Sequence, residues 1–221
     1  MRIVSGVALA AVLATLTAAP ALGQDTEWQD RWYWGAQGTF FRYKTPTNAH
    51  WQTAYGVGGS WFITKRQGGL YLAFDQMLFD EGTTSAVSNG LAPTGFTTVQ
   101  FDRSQRWQAL VYAVPWSGAF QLYLGVGFEL HNVTNADTVS TGSETTQEIQ
   151  AALVAIEQAR SAAFLAMAGG IQLSLGRLAV YGDYHYMPAS NSFLITSSQH
   201  AFLAGIRFAL TSSRTEVTTQ D

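Results

Sequence analysis

The amino-acid sequence predicts an all-β fold: one eight-stranded antiparallel up-and-down transmembrane β-barrel with one short helix in an external loop. Three observations predict this fold class. One strand-length segment alternates without interruption between apolar and polar residues. The content of charged side chains is very low, and the connections between candidate strands switch between short and long.

The alternation is clearest in residues 120–130, FQLYLGVGFEL. Successive side chains of a β-strand point to opposite faces, so one face of this segment is wholly apolar and the other is polar or glycine-rich. A tilted β-strand crosses a bilayer with about 9–11 residues. The segment therefore fits a barrel wall that has lipid outside and a polar lumen inside.

The composition favours a membrane barrel over a soluble domain. Charged residues make up 12% of the chain, against roughly 25% in soluble domains, and only Lys44 and Lys65 are lysines. Beyond the N-terminal segment there is no apolar run of about 18 residues, the minimum for a transmembrane helix. There is no cysteine for a disulfide. A formal net charge of −3 offers no basic surface for nucleic acid.

The N-terminal segment has the features of a secretory signal peptide, which we place at residues 1–23. Arg2 is followed by an apolar stretch over residues 3–17 and by small residues that suit cleavage between Ala21 and Gly23. An uncleaved membrane anchor is the alternative. We expect residues 24–210 to form the outer-membrane β-barrel domain and residues 211–221 to form a polar periplasmic tail.

Eight candidate strands follow one another along the chain. They lie near residues 32–43, 51–64, 70–79, 99–114, 120–131, 164–175, 178–186 and 200–210. The connections at 65–69, 115–118 and 176–177 are short, and those at 44–50, 80–98, 132–163 and 187–199 are longer. Short periplasmic turns and long external loops are typical of outer-membrane barrels. An even number of strands places both termini on the periplasmic side.

The aromatic residues fit this orientation. Indole and phenol rings favour the two membrane interfaces. The ends that we assign to the periplasm carry Trp32, Trp34, Trp61 and Trp116, and the opposite ends carry Trp51, Tyr184 and Tyr186.

One external loop contains a predicted amphipathic helix. Thr145 and Glu148 have the spacing of a capping box. Ile149, Leu153 and Ile156 then recur at helical spacing and form one apolar stripe. We expect this stripe to be buried as a lid over the external mouth of the barrel. The alternative is a helix that packs on the barrel rim.

The parity of each strand assigns a polar set to the lumen. The inward positions include Asp75, Arg106, Gln108, Glu129, Tyr181, Asp183, His185 and Arg207. An eight-stranded barrel has an interior just wide enough for side chains to fill, and unpaired buried charge is costly. We therefore predict a lumen network in which Asp75, Arg106, Glu129, Asp183, His185 and Arg207 pair with one another. A narrow, porin-like passage or a small-ligand pocket is the alternative.

The last candidate strand resembles the C-terminal assembly signal of small outer-membrane β-barrels. In residues 203–210, LAGIRFAL, a glycine is followed by alternating apolar residues, although Leu210 replaces the usual terminal aromatic and eleven more residues follow it. The chain thus resembles the eight-stranded OmpA/OmpX/OmpW-like group. The resemblance implies a monomer in the outer membrane of a didermic bacterium. Its partners would be outer-membrane lipid, lipopolysaccharide and the outer-membrane assembly machinery.

Enzymatic activity has one sequence feature in its favour. His185, Tyr186, Ser190 and Asn191 resemble the lipid A deacylase pattern, but that family places its serine two residues after the histidine, where this chain has Met187. The four histidines are scattered and do not have metal-ligand spacing. We therefore expect a non-enzymatic protein with a structural or surface role, without a cofactor, a metal ion or a catalytic residue. A lipid A deacylase-like hydrolase is the alternative.

A soluble, secreted, lipocalin-like binding barrel is a second alternative. It would use the same alternation with the apolar face turned inward, so the alternation alone does not separate the two. The low charge content and the loop lengths favour the membrane form.

Overall fold

The computed structural model describes residues 31–65, 68–80, 82–116, 118–139, 142, 144–190 and 192–212. The predicted signal peptide, residues 1–23, lies outside the described residues. Of the predicted tail, 211–221, only Thr211 and Ser212 are described, and both belong to the last strand.

The described chain consists mainly of β-strands. In chain order they are β1 (Arg31–Thr45), β2 (Asn48–Lys65), β3 (Gly68–Leu78), β4 (Thr84–Ser88), β5 (Phe96–Gln100), β6 (Arg103–Trp116), β7 (Phe120–Thr134), β8 (Asp137–Thr138), β9 (Ser161–Leu175), β10 (Leu178–Met187) and β11 (Gln199–Ser212). Helix α1 (Thr146–Ala159) lies between β8 and β9. With 14 residues, it falls short of the length needed to span a bilayer, and no described helix is long and apolar enough to do so.

Eight of these strands close into one antiparallel barrel. Their order around the ring is β1-β11-β10-β9-β7-β6-β3-β2. The first and last strands complete the closure, with Trp34 opposite Phe208 and Phe40 opposite Phe202. Closure satisfies the backbone groups that an open sheet would expose at its edges. The predicted fold class is therefore confirmed.

The two ends of the barrel differ in their connections. At the turn end, β2–β3, β6–β7 and β9–β10 are joined by short turns, and Gly176 has the positive φ of 67° that its turn requires. At the loop end, three connections are long, as predicted. Two of them contain secondary structure: β4 and β5 lie in one, and β8 and α1 lie in the other. The fourth was predicted wrongly: β1 ends at Thr45 and β2 begins at Asn48, so this connection is short.

The predicted fourth strand, 99–114, combines parts of two strands. Val99 and Gln100 belong to β5, and the barrel strand β6 begins only at Arg103. Alternation continues through the break, because Val99 and Phe101 are both buried. The two-residue repeat of buried side chains therefore does not reveal that the chain passes from the small sheet that contains β5 to the barrel sheet that contains β6.

Large apolar side chains cover the outside of the barrel wall. Val57, Val111 and Phe128 are 66%, 62% and 65% exposed. Gln108 and Glu129, which alternate with such residues on the same strands, point into the lumen and are buried. This distribution is the reverse of that in a soluble barrel, whose apolar face forms the core.

A small folded unit, which we call the cap, covers the loop end. It comprises the antiparallel sheet β4-β5-β8, helix α1 and residues 188–190 and 192–198. Leu194 joins its parts: its backbone N–H donates to the carbonyl of Ala159 at 3.1 Å, and its own carbonyl accepts from the Ser85 hydroxyl at 2.6 Å. Phe193, Leu194 and Ile195 are almost completely buried. The β10–β11 connection therefore forms part of the hydrophobic core.

Helix α1 begins as predicted but buries a different face. The capping box is present: Thr145 Oγ1 accepts from the backbone N–H of Glu148, and the Glu148 carboxylate accepts from that of Thr145 at 2.6 Å. Ala152 and Ile156 are buried, whereas Leu153 is 40% exposed and Ile149 is half-buried. The prediction that Leu153 belongs to the buried stripe was wrong. The helix packs through its alanine-containing face against β4 and β8 of the cap, where a small side chain permits close approach.

We predict that Gly127→Ala destabilises the barrel. A Cβ at Gly127 would collide with the backbone of β6, including the Leu110 Cα at 2.6 Å, and backbone atoms cannot move aside. The expected loss is about 1–3 kcal/mol, as for other overpacked sites. It is measured as a lower urea midpoint for loss of the heat-modifiable band on a denaturing gel. Gly38→Ala is the control, since nothing lies within 4 Å of its added Cβ. Equal midpoints for the two variants would contradict the prediction.

Candidate functional site

The lumen holds two groups of buried polar side chains at different heights. The loop-side cluster consists of Asp75, Arg106, Glu129, His131 and His185, and the turn-side cluster consists of Gln121, Tyr123, Gln172, Asp183 and Arg207. Every member is at least nine-tenths buried. The six residues predicted to form the lumen network all lie in these two clusters.

Arg106 is the centre of the loop-side cluster. Its Nη2 lies 2.9 Å from Asp75 Oδ2, and its Nε lies 3.4 Å from Glu129 Oε2. Both contacts are ion pairs by distance and lack hydrogen-bond angles. Glu129 also contacts two imidazoles, because His185 Nδ1 lies 2.7 Å from Oε1 and His131 Nε2 lies 3.5 Å from Oε2. One carboxylate thus joins side chains from three other inward positions.

Three neutral side chains donate hydrogen bonds to the Asp75 carboxylate, in addition to its contact with Arg106. The Gln37 amide donates to Oδ1 at 2.6 Å, the Gln108 amide donates to Oδ2 at 2.8 Å, and the Thr39 hydroxyl donates to Oδ2 at 3.0 Å. Hydrogen bonds to a charged acceptor are stronger than neutral ones. These donors compensate for the desolvation of the carboxylate.

Arg207 is the centre of the turn-side cluster. Its Nη2 lies 3.4 Å from Asp183 Oδ2, and its Nη1 donates to Gln172 Oε1 at 3.0 Å. Asp183 also accepts a hydrogen bond from the Tyr123 hydroxyl. Gln172 in turn donates to Gln121 at 3.0 Å. This cluster therefore has its own charge pair and its own hydrogen-bond chain.

Aromatic rings enclose the Arg207 guanidinium and connect the two clusters. Its Cζ lies 3.5 Å from the ring centroid of Tyr181, 4.7 Å from Phe62 and 5.3 Å from Tyr71. Cation–π contacts of this kind strengthen when water is excluded. The hydroxyls of Tyr71 and Tyr181 both donate to Gln37 Oε1, at 2.6 and 2.7 Å. Because Gln37 also binds Asp75, the two clusters form one continuous network.

Side chains from opposite walls of the barrel meet across the lumen at two levels. In a ring of eight strands, β3 is opposite β10 and β1 is opposite β7. Tyr71 and His185 join the first pair, with ring centroids 6.2 Å apart, and Phe41 and His131 join the second, at 5.8 Å. The Tyr112 hydroxyl adds a contact to His185 Nε2 at 3.2 Å. Side chains therefore span the full width of the barrel.

Of the residues that resembled a deacylase site, the structure places His185 and Ser190 in separate surroundings. Both ring nitrogens of His185 contact lumen groups, Glu129 and Tyr112. The Ser190 hydroxyl lies in the cap, where it contacts Ser192 Oγ at 3.2 Å, and Asn191 lies outside the described residues. In the described part of the chain, no group of three or more Asp, Glu or His side chains is placed to hold a metal ion.

Several lumen residues were not predicted from the sequence. Gln37, Tyr71, Tyr112 and Gln172 were not named, although the same strand parity places all of them inward. Applying the parity rule to every tyrosine and glutamine of the strands, and not only to Gln108 and Tyr181, would have identified them. The buried loop residues 193–195 have no comparable signal, because a single turn of irregular chain has no periodicity.

Comparisons with known proteins show which fold this chain shares with solved structures, but they do not assign the chain to a protein family. No protein-family model matches the chain, and no curated protein sequence matches it. Among solved structures, it is similar to Neisserial surface protein A, at 11% identity and a TM-score of 0.53 over 80% of this chain and 96% of that one. Other matches are the attachment invasion locus protein Ail of Yersinia pestis (12% identity, TM-score 0.48, 82% of this chain and 99% of that one) and the outer membrane protein OprG from Pseudomonas aeruginosa (14%, 0.42, 82% and 93%). The predicted resemblance to small outer-membrane barrels is confirmed at the level of the fold.

We predict that Glu129→Gln strongly destabilises the folded barrel. The change removes the negative charge that pairs with Arg106 inside the lumen, with little change in volume. Removing one partner of a buried ion pair costs about 3–5 kcal/mol. The measurement is the free energy of unfolding in urea, with the protein in detergent micelles.

Glu157→Gln is the matched control for this prediction. Glu157 pairs with Arg160 at 2.7 Å on the exposed face of α1, where such pairs contribute at most about 1 kcal/mol. If the two variants lose the same small amount of stability, the ion pair between Glu129 and Arg106 does not stabilise the barrel as we predict.

Proposed function

We propose that this chain is a non-enzymatic outer-membrane β-barrel whose lumen is closed and whose cap is presented at the external surface. The observation that carries the proposal is the pair of contacts across the barrel, Tyr71 to His185 and Phe41 to His131. A barrel closed at two levels by its own side chains serves as an anchor and a platform. A porin-like passage would need an open path at both levels.

The exterior of the barrel supports insertion into a membrane. Residues such as Val57, Val111 and Phe128 form a continuous apolar belt that water would solvate poorly. The lumen, in contrast, holds buried charged side chains such as Arg106 and Glu129. A lipocalin-like barrel needs an apolar interior for its ligand, so this distribution of side chains favours the membrane form. The fold shared with Neisserial surface protein A supports the same proposal.

The cap supports a surface role. Its apolar core continues into the barrel mouth, since Phe193 lies 5.4 Å from Phe164 and 6.1 Å from His131. On its outer side, Leu91 and Phe96 are more than half exposed. Binding specificity in barrel proteins is commonly carried by loops on a rigid scaffold. Residues presented on a rigid cap would meet a partner with little loss of loop entropy.

A cavity in the cap provides a place for the small-molecule binding that the sequence left open. It has a volume of about 300 Å³ and lies between β5 and the first turns of α1. Thr97, Thr138, Glu148 and Ile149 are among the residues that line it. This mixed lining suits a small polar molecule, which would then bind outside the lumen.

We propose that the protein is exported and then inserted into the outer membrane. Residues 1–23 would direct export, and the alternating strand 203–210 would engage the outer-membrane assembly machinery. The protein would then sit as a monomer with its turn end in the periplasm and its cap outside. Outer-membrane lipid and lipopolysaccharide would surround the apolar belt.

We predict that the purified protein produces no current steps in a planar lipid bilayer. A variant that lacks residues 144–160, and hence α1, should be equally silent. The reason is that Tyr71 and His185 close the lumen inside the barrel wall, away from the helix. An open porin serves as the positive control, and the heat-modifiable band shows that each protein is folded.

Two results would contradict this expectation in different ways. Current steps in the full-length protein would show that the lumen conducts. Steps that arise only after removal of residues 144–160 would show that α1 acts as the lid, the hypothesis suggested by its apolar stripe.

A further inference from the structure

A cluster of basic and aromatic side chains lies on the outer face of the barrel near its loop end. It consists of Arg42, Lys44, Trp51, Tyr184 and His200, and we call it the basic-aromatic patch. These residues belong to β1, β2, β10 and β11, which are consecutive in the barrel ring. Arg42 and His200 are direct cross-strand partners. The patch is thus a continuous area on one side of the wall.

Two cations in the patch share one indole. Arg42 Cζ lies 5.3 Å from the ring centroid of Trp51, and Lys44 Nζ lies 4.8 Å from the same centroid. His200 lies against that ring at 5.2 Å between centroids, and its Nδ1 contacts the Tyr184 hydroxyl at 2.7 Å. Two like charges at one ring repel each other, and a shared anion removes that repulsion.

The surrounding chain supplies no such anion. Residues 38–56 and 184–204, which form this side of the loop end, contain no aspartate or glutamate. Among the described residues, neither Arg42 nor Lys44 takes part in an ion pair. The patch is therefore locally positive in a chain whose formal net charge is −3.

An apolar groove lies on the same strands, two rows nearer the turn end. Outward residues of β1 follow one another in the order Arg42, Phe40, Gly38. Phe40 packs between Tyr55 and Phe202, with ring centroids 5.7 and 6.2 Å away. The next row contains Gly38, whose neighbour across the β1–β11 ladder is Ala204. These small residues leave a groove of about 440 Å³ below the aromatic row.

The order of these rows matches one kind of molecule. Alternate residues on a strand are about 7 Å apart, so the chain passes from cations to aromatic rings to an apolar groove over about 14 Å. A phosphorylated lipid has the same sequence of properties, from an anionic headgroup to an acyl chain. Arginine binds phosphate through two parallel hydrogen bonds, and lysine binds it as a point charge.

We propose that the basic-aromatic patch and the groove form a binding site for one phosphorylated acyl lipid of the leaflet at the loop end. Arg42 and Lys44 hold the phosphate beside Trp51 and His200. An acyl chain passes over Phe40 and occupies the groove at Gly38. The inference rests on the proposed function, because it requires the barrel to be inserted in a membrane.

The test compares two lipids with identical acyl chains, phosphatidic acid and phosphatidylcholine. Each is titrated into the refolded full-length barrel in detergent micelles, and bound lipid is counted by native mass spectrometry. We expect tighter binding of phosphatidic acid by the unmodified protein. Each lysine or arginine near an anionic lipid contributes about fivefold in affinity. Arg42→Gln combined with Lys44→Gln should therefore weaken binding of phosphatidic acid about 30-fold.

Two further variants separate the headgroup site from the groove. Gly38→Leu should fill the groove without disturbing the fold, because nothing lies within 4 Å of its Cβ position, and it should weaken binding of both lipids. Lys65→Gln combined with Arg177→Gln removes the same charge from the exposed turn end. This matched control should leave both affinities unchanged.

Four outcomes would overturn the inference. The first is equal binding of the two lipids, and the second is an equal loss of binding in the patch and control variants. The third is unchanged lipid binding by Gly38→Leu, which would leave only a surface attraction for anions. The fourth is complete displacement of phosphatidic acid by inorganic phosphate, which would assign the patch to a free anion.

The outcome for the inference can be separated from that for the proposed function. A barrel that inserts into vesicles and shows the heat-modifiable band, yet does not distinguish the lipids, overturns only the lipid site. A chain that fails to insert overturns both.

Discussion

The placement of Arg106 between Asp75 and Glu129 is the interaction on which the rest of the barrel depends. A closed ring of eight strands leaves an interior with room for side chains, and the inward positions of this wall carry several charged residues. Three carboxylates and two guanidiniums then share one confined space with two imidazoles. Such charges are tolerated when they pair and when neutral donors complete their coordination, as the three donors to Asp75 do.

Tyr71 and His185 meet across the barrel. In the function that we propose, a lumen filled in this way leaves the cap and the outer wall as the surfaces that other molecules would reach. The cap has its own apolar core around Phe193 and Ile156 and is continuous with the barrel mouth. On the outer wall, Arg42 and Lys44 lie beside Trp51 among exposed apolar side chains.

The sequence predicted the barrel well because one rule, the period of two, applies to all eight strands. The inward positions of Asp75, Glu129 and Arg207 follow from it directly. The same rule failed at Val99, where a buried strand of the cap continues the pattern of the barrel strand without being part of it. The rule did not predict the burial of residues 193–195, because that burial depends on the barrel mouth against which they pack. For α1, the capping box was local and therefore predictable, whereas the buried face depended on the sheet against which the helix packs.

The sequence by itself determined which residues of the barrel strands face outward, which face the lumen, and how many strands form the barrel. These properties depend on alternation and on turn chemistry, which act between near neighbours in the chain. The tertiary structure alone decided which lumen residues pair, because Arg106, Glu129 and His185 belong to three different strands. It also decided that Arg42 and His200 share a surface, since closure of the barrel makes the first and last strands neighbours. Contacts of that kind depend on the register and the curvature of the whole ring. A single segment of the sequence determines neither of them.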